Sequence, residues 1–250
     1  MDVCWNVTSE CNRNCKYCFK FTDYEVSFND KKAILKELKD IGVKKITWGG
    51  GEPFLCEDID KLMKIAKSYG MYNEAITNCS LLTTDNIAKK LKYVDKLNMS
   101  LDFVDDEKNS LYGIGEDYYL HFKELIKSIN KKFPNLFIQV NTVVFKHNLN
   151  LLDDLYNELK KYKINRWKLA KFFPVRGSAL KNKDDLYITN FEYEKEVSKF
   201  FNTKQNFEIY YNNEEKMMMK HYIVLSSGKL IISQNGEDME VLNLLGGRNE

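Results

Sequence analysis

The apolar pattern of the first 175 residues switches repeatedly between a period of two and a period near 3.6, and this alternation restricts the fold more than any other feature. Residues 2–8 (DVCWNVT) read as a strand. Ile34, Leu38 and Ile41 mark one face of a helix, with Asn29 or Asp30 as its N-cap and Gly42 as its stop. KKITW (44–48) is a short strand that runs into Gly49-Gly50-Gly51. Ile59, Leu62, Met63 and Ala66 form the next helical stripe, closed by Gly70. MYNEAIT (71–77), KLNMSLD (96–102), LFIQVNTVV (136–144) and RWKLA (166–170) read as further strands. Helices are expected between them, over 83–92, on Phe122, Leu125, Ile126 and Ile129, and on Leu152, Leu155, Tyr156 and Leu159. About six βα units over 1–175 imply an α/β fold with a parallel sheet, open or curved into a partial barrel. Ligands should then collect at the carboxyl ends of the strands.

Residues 176–250 read differently, as a short C-terminal α/β extension closing the site. It has a polar loop over 176–188, a helix over 190–203, and a hairpin of HYIVL and KLIIS around Ser226-Ser227-Gly228. The chain has 250 residues, 44% hydrophobic and 30% charged, enough for a sizeable core. A net charge of +2 excludes a nucleic-acid binder that works by bulk charge. No apolar run approaches the roughly 20 residues of a membrane helix, and residues 1–10 lack the pattern of a signal peptide. A cytoplasmic protein, without membrane attachment and monomeric, is expected.

The six cysteines, Cys4, Cys11, Cys15, Cys18, Cys56 and Cys79, all precede residue 80. Cys11, Cys15 and Cys18 have the spacing C-x3-C-x2-C in a loop over residues 9–24. Three thiolates can hold three corners of a cubane iron–sulfur cluster and leave the fourth iron open to a substrate. The alternative is a zinc knuckle completed by another Cys or a His. Gly49-Gly50-Gly51-Glu52-Pro53 follows the second strand, where glycines let the backbone approach a ligand closely. Glu52 adds an acceptor suited to an ammonium group.

With both motifs in place, the chain resembles the radical S-adenosylmethionine (SAM) enzymes, whose C-x3-C-x-Φ-C signature is completed here by Tyr17. The segments CNRNCKYCF, KKITWGGGEPF, ITNCSLL, NMSLD, SLYGIGEDYYLHFKEL, VNTVVFKHNLN and INRWKLAKF are similar, in order and spacing, to those of the viperin-like enzymes within that group. The resemblance implies a partial (βα)6 radical SAM barrel, TIM-like in design. It implies a [4Fe-4S] cluster on Cys11, Cys15 and Cys18, and a SAM site that includes Tyr17, Gly50, Gly51, Glu52, Asn78 and Ser100. The implied reaction abstracts the ribose 4′ hydrogen of a nucleoside triphosphate by a 5′-deoxyadenosyl radical. Water is lost, and the 3′-deoxy-3′,4′-didehydro nucleotide forms, in antiviral defence. The triphosphate would meet Lys45, Asn141, Arg166 and Lys168. Arg166 and Lys168 alternate on one strand face, where two buried cations call for an anion. Tyr222, directly or through water, is the expected proton donor for the departing hydroxyl. Flavodoxin or ferredoxin would supply the electron.

The chain departs from the viperin pattern at four points: Cys4 stands for an Asn, Gly49 for a Ser, Ile114 for an Arg and Gln139 for a Lys. These bear on base and substrate choice more than on SAM cleavage. Two other readings are a radical SAM enzyme acting on a peptide or other small molecule, and a non-catalytic iron–sulfur or zinc module. His121, His147 and His221 are scattered, Cys56 and Cys79 read as small apolar residues, and Met217, Met218 and Met219 as a lid or a gap filler.

Overall fold

The computed structural model describes residues 1–201, 203 and 205–246. The strands are β1 (Asp2–Thr8), β2 (Lys45–Gly50), β3 (Tyr72–Thr77), β4 (Lys96–Ser100), β5 (Phe137–Val144), β6 (Arg166–Lys171), β7 (Glu208–Asn212), β8 (His221–Val224), β9 (Lys229–Gln234) and β10 (Glu237–Asn243). The helices are α1 (Phe28–Asp40), α2 (Ile59–Ser68), α3 (Ile87–Lys90), α4 (Asp106–Leu111), α5 (Tyr118–Lys132), α6 (Leu152–Leu159), α7 (Gly177–Lys181), α8 (Lys183–Leu186), α9 (Asn190–Val197) and α10 (Glu214–Met218).

All ten strands form one sheet in the order β10-β9-β8-β1-β2-β3-β4-β5-β6-β7. The pairs from β8 through β1 to β7 are parallel, and β9 and β10 add an antiparallel edge. The six expected strands of residues 1–175 are all present. The sheet gains a seventh parallel strand, β7, and the expected hairpin joins it beside β1.

Two faces divide the sheet by side-chain parity. Trp5, Trp48, Ala75, Leu97, Met99, Val140, Trp167 and Leu169 are fully buried and join the helices in the core. The opposite face carries Cys4, Glu74, Asn98, Gln139 and Lys168. In a flat sheet β1 and β6 would stand about 24 Å apart, at roughly 4.8 Å per strand. Yet Lys168 of β6 acts electrostatically on Cys4 of β1. The sheet curls so that its polar face becomes the lumen of a partial barrel.

Four local expectations are corrected. The N-cap of α1 is Ser27, not Asn29 or Asp30, and Asp30 closes a capping box with it. Residues 83–92 form only the single turn α3, opened by reciprocal side chain–backbone hydrogen bonds between Thr83 and Asn86. Residues 176–188 contain α7 and α8 rather than loop alone. The helix expected over 190–203 ends as α9 and a 3-10 turn at Phe200, and position 202 lies outside the described residues. Among the described residues no helix is long and apolar enough to cross a membrane.

Candidate active site

The loop after β1 is held by backbone hydrogen bonds on several sides. Asn14 and Lys16 donate from their backbone N–H to the carbonyls of Gly113 and Tyr112, each at 3.1 Å, and Ala179 donates to the Cys18 carbonyl at 2.9 Å. Tyr17 turns inward, stacks on Phe145, and donates to Asp102 Oδ2 at 2.5 Å. It anchors the loop instead of lining its surface. Gly113 has φ +75, and a Cβ there would stand 2.1 Å from the Asn14 carbonyl oxygen, so only glycine lets the two segments meet.

Cys15 lies near both Cys11 and Cys18, and burial pushes its thiol up to about 12. Among the described residues, no three Cys, His, Asp or Glu side chains are posed as a ready metal site. The donor set itself fits a cluster with one open iron. Cys56 is committed to Lys31 Nζ at 3.5 Å, and Cys79 is fully buried against the Thr77 carbonyl, so neither offers a fourth thiolate. A cleft of about 180 Å³, lined in part by Arg13, Cys15, Cys18, Lys20 and Lys181, opens beside the loop.

The glycine turn runs against this loop. Gly51 N–H donates to the Thr8 carbonyl and Glu52 N–H to the Glu10 carbonyl, each at 2.8 Å. A Cβ on Gly50 would lie 2.2 Å from the Thr8 oxygen, and one on Gly51 1.7 Å from the Glu10 oxygen. The missing side chains at Gly50 and Gly51 therefore make room for the protein's own backbone. By contrast, a Cβ on Gly49 would make an ordinary contact, 3.6 Å from Cys4 Sγ.

Glu52 is completely buried. Its Oε1 accepts from Thr77 Oγ1 at 2.8 Å and Phe54 N–H at 3.1 Å, and its Oε2 from Asn78 N–H at 2.8 Å. It is a strut between the glycine turn and the end of β3, not an open carboxylate awaiting an ammonium. Asn78 in turn reaches Asn12 at 3.1 Å and Cys11 Sγ at 3.7 Å. Ser100, at the end of β4, donates to the Thr77 carbonyl at 3.4 Å. The carboxyl ends of β1–β4 thus bring together Cys11, Cys15, Cys18, Gly50, Gly51, Asn78 and Ser100.

Residues 5–168 match the radical SAM superfamily. The chain belongs to it. The chain is 32% identical to an S-adenosylmethionine-dependent nucleotide dehydratase of Flammeovirga pacifica, over 95% of this chain and 84% of the relative. It is 30% identical to a GTP 3′,8-cyclase of Clostridium botulinum (strain Okra / Type B1), over 75% of this chain and 60% of that relative. Among solved structures it resembles Streptococcus suis SuiB bound to S-adenosylmethionine, with a TM-score of 0.72 and 18% identity over 92% of this chain and 59% of that one. It also resembles anSMEcpe with bound AdoMet, with a TM-score of 0.70 and 16% identity over 98% and 78%. This protein is a radical SAM enzyme, and its cofactors are SAM and a [4Fe-4S] cluster.

Below this radical SAM site, the register places Asn141 and Lys168 side by side on the lumen face, with Arg166 beside Gln139. Gln139 Nε2 donates to Asn141 Oδ1 at 2.6 Å. Arg166 pairs with Glu208 at 2.8 Å and lies between the rings of Phe137 and Tyr210. Among the described residues Lys168 has no hydrogen-bonded or salt-bridged partner, and burial lowers its pKa. Lys45, the first residue of β2, is ion-paired to Asp2 at 3.0 Å and Glu74 at 3.7 Å.

Tyr222 is not brought to the lumen. Cys4 pairs with Ile223 and Trp5 with Val224, so Ile223 takes the lumen face and Tyr222 the opposite one, packed on the core. Its expected role as proton donor falls with that orientation. The lumen residues passed over in the sequence are Glu74, Lys96, Asn98 and Tyr210. Their signal was present as the inward parity of each strand.

Burial raises the Glu52 carboxyl from 4.5 to about 7 against the pull of its three donors. Between those values the unfolded chain is ionised and the folded one protonated. The stability this group contributes is therefore present below about 4.5 and lost as pH rises through about 7. Glu52→Gln removes that titration and turns an amide N–H toward Asn78 N–H, costing about 1–3 kcal/mol. Urea unfolding should show the variant less stable at pH 5 and flatter between pH 4.5 and 7. An unchanged slope would exclude Glu52 as its source.

Proposed function

We propose that this radical SAM enzyme dehydrates a nucleoside triphosphate, CTP or another pyrimidine, to its 3′-deoxy-3′,4′-didehydro analogue, in defence against phage. The observation that carries the reading is Lys168, an ammonium without a partner among the described residues, on the lumen face of β6 beside Asn141 and next but one to Arg166. Desolvated cations favour a polyanion, and Arg suits bidentate phosphate contacts where Lys supplies a point charge. The names of the dehydratase and the cyclase both concern nucleotides, which supports the same substrate class.

When bound, SAM and the cluster supply a 5′-deoxyadenosyl radical. Cys11, Cys15 and Cys18 would ligate the cluster, and the main chain of Gly50, Gly51 and Glu52, with Asn78 and Ser100, would border SAM. Tyr17 would fix the cluster loop from below. Lys45, Asn141, Arg166 and Lys168 would hold the phosphates and so set the ribose under the reacting carbon. Residues 176–250 act as the closing extension, the protein works as a cytoplasmic monomer, and flavodoxin or ferredoxin donates the electron.

The test is SAM cleavage by the reduced holoenzyme with CTP, UTP, GTP and ATP, each beside its nucleoside. A triphosphate should stimulate cleavage and yield a product lighter by one water. Lys168→Ala should weaken its binding about ten- to a hundredfold and leave SAM affinity unchanged. If no triphosphate stimulates cleavage or binds, the nucleotide reading fails.

A further inference from the structure

The lumen holds charge that the four expected phosphate positions do not exhaust. On β4 alternate residues face inward, so Lys96, Asn98 and Ser100 share the lumen with Glu74 of β3, whose register partner is Lys96. Lys96 Nζ lies 3.1 Å from Glu74 Oε1, and both side chains are only 12% exposed. The same carboxylate lies 3.7 Å from Lys45 Nζ and accepts from Asn98 Nδ2 at 2.9 Å. One enclosed carboxylate therefore serves two ammonium groups. Arg166 acts electrostatically on Lys96, and Lys96 on Lys168. The carboxylates paired to Lys45 and Arg166 from outside, Asp2 and Glu208, are 61% and 53% exposed and screened by water.

The polar layer is incomplete in a second way. Asn98 is fully buried, and its Nδ2 faces two acceptors, Glu74 Oε1 and the Ala75 carbonyl, which fixes the amide's orientation. Its Oδ1 has no donor among the described residues. Excess cation and an orphan acceptor in one layer describe a surface that an anionic ligand carrying hydroxyl donors would complete. Gln139, the register partner of Asn98, cannot supply charge, being a neutral amide already tied to Asn141 and Arg166.

We infer that Lys96 is a further positioning residue for the polyphosphate of the substrate, held in place by Glu74, which yields its share of Lys45 and Lys96 when the phosphates arrive. This rests on the nucleotide reading above. The β4 lysine thus supplies the charge that Gln139 lacks on β5. The Glu74 carboxylate, by competing with phosphate, disfavours ligands of lower charge: a monophosphate offers too little to displace it.

The experiment is calorimetric titration of the reconstituted holoenzyme with CTP, UTP, GTP and ATP, using wild type, Lys96→Gln, Lys96→Arg and Glu74→Gln. SAM affinity in each preparation reports on the fold and the upper site. Lys96→Gln should weaken the triphosphate that binds wild type about ten- to a hundredfold, and Lys96→Arg should recover most of the loss. Glu74→Gln should tighten binding and narrow the preference for triphosphate over monophosphate, with SAM affinity unchanged throughout. A purely structural ion pair predicts the same sign for both neutral variants. If both weaken triphosphate binding, or if Lys96→Gln leaves it unchanged while Lys168→Ala weakens it, the inference is overturned and the nucleotide reading stands. If wild type binds no triphosphate, both fall together.

Discussion

Alanine at Cys11, Cys15 or Cys18 is expected to yield folded protein with no cluster, shown by loss of bound iron and of the brown colour of anaerobic preparations. SAM cleavage should disappear with it. The effect is large because each thiolate would be one of only three protein ligands to the cluster, and neither Cys56 nor Cys79 is placed to substitute. Cys56 is held at Lys31 on α1, and Cys79 is sealed beneath the end of β3 with φ 66. Cys56→Ala and Cys79→Ala should accordingly keep full iron content. Iron lost in Cys56→Ala would mean a four-thiolate site and would remove the open iron on which SAM cleavage depends. The fold should survive all five substitutions. The loop stays pinned by the Tyr17–Asp102 hydrogen bond and by backbone bonds to Tyr112, Gly113 and Ala179, none of which involves a thiol.

How much of this was legible in the sequence follows from the range of the interactions involved. β1 to β6 were readable because each buries one alternate set, such as Trp5 and Val7 or Trp167 and Leu169, whatever its neighbours. The cluster loop was readable because three cysteines within eight residues are a local pattern. β10 was not, since every residue of it is exposed and no apolar alternation marks it. β7 shows only half-buried Ile209 and Tyr211 at the sheet edge. The face taken by Tyr222 depends on pairing with a strand more than 200 residues away in sequence, and a shift of one residue would reverse it. The Lys96–Glu74 pair joins strands 22 residues apart, so parity puts each on a face but only the parallel register makes them partners. Glu52 was seen as a ligand group because its motif is local. Its burial against Thr77 and Asn78 is a tertiary fact.

Gly51→Val is expected to dismantle the radical SAM site rather than merely crowd SAM. The new Cβ would stand 1.7 Å from the Glu10 oxygen and 3.0 Å from Cys11 N, both backbone atoms, so no rotamer change relieves the contact. The turn or the cluster loop must move, breaking the hydrogen bonds of Gly51 to Thr8 and Glu52 to Glu10 that couple them. Two lost backbone bonds and a displaced loop put the cost at several kcal/mol, on the order of 10 °C in melting temperature for a chain of this size. Iron content and SAM affinity should fall together. Gly50→Val adds strain of its own, because φ +120 is a conformation that β-branched residues avoid. Gly49→Ala is the matched control: its Cβ makes ordinary contacts with Cys4 Sγ at 3.6 Å and Asn6 Oδ1 at 4.0 Å, so stability, iron and SAM affinity should all remain near wild type. The deciding measurement is iron content beside SAM affinity in Gly51→Val. A variant that keeps its iron and its melting temperature while losing SAM alone would show that the glycine makes room for the ligand, and that the contact with Glu10 is not what demands it.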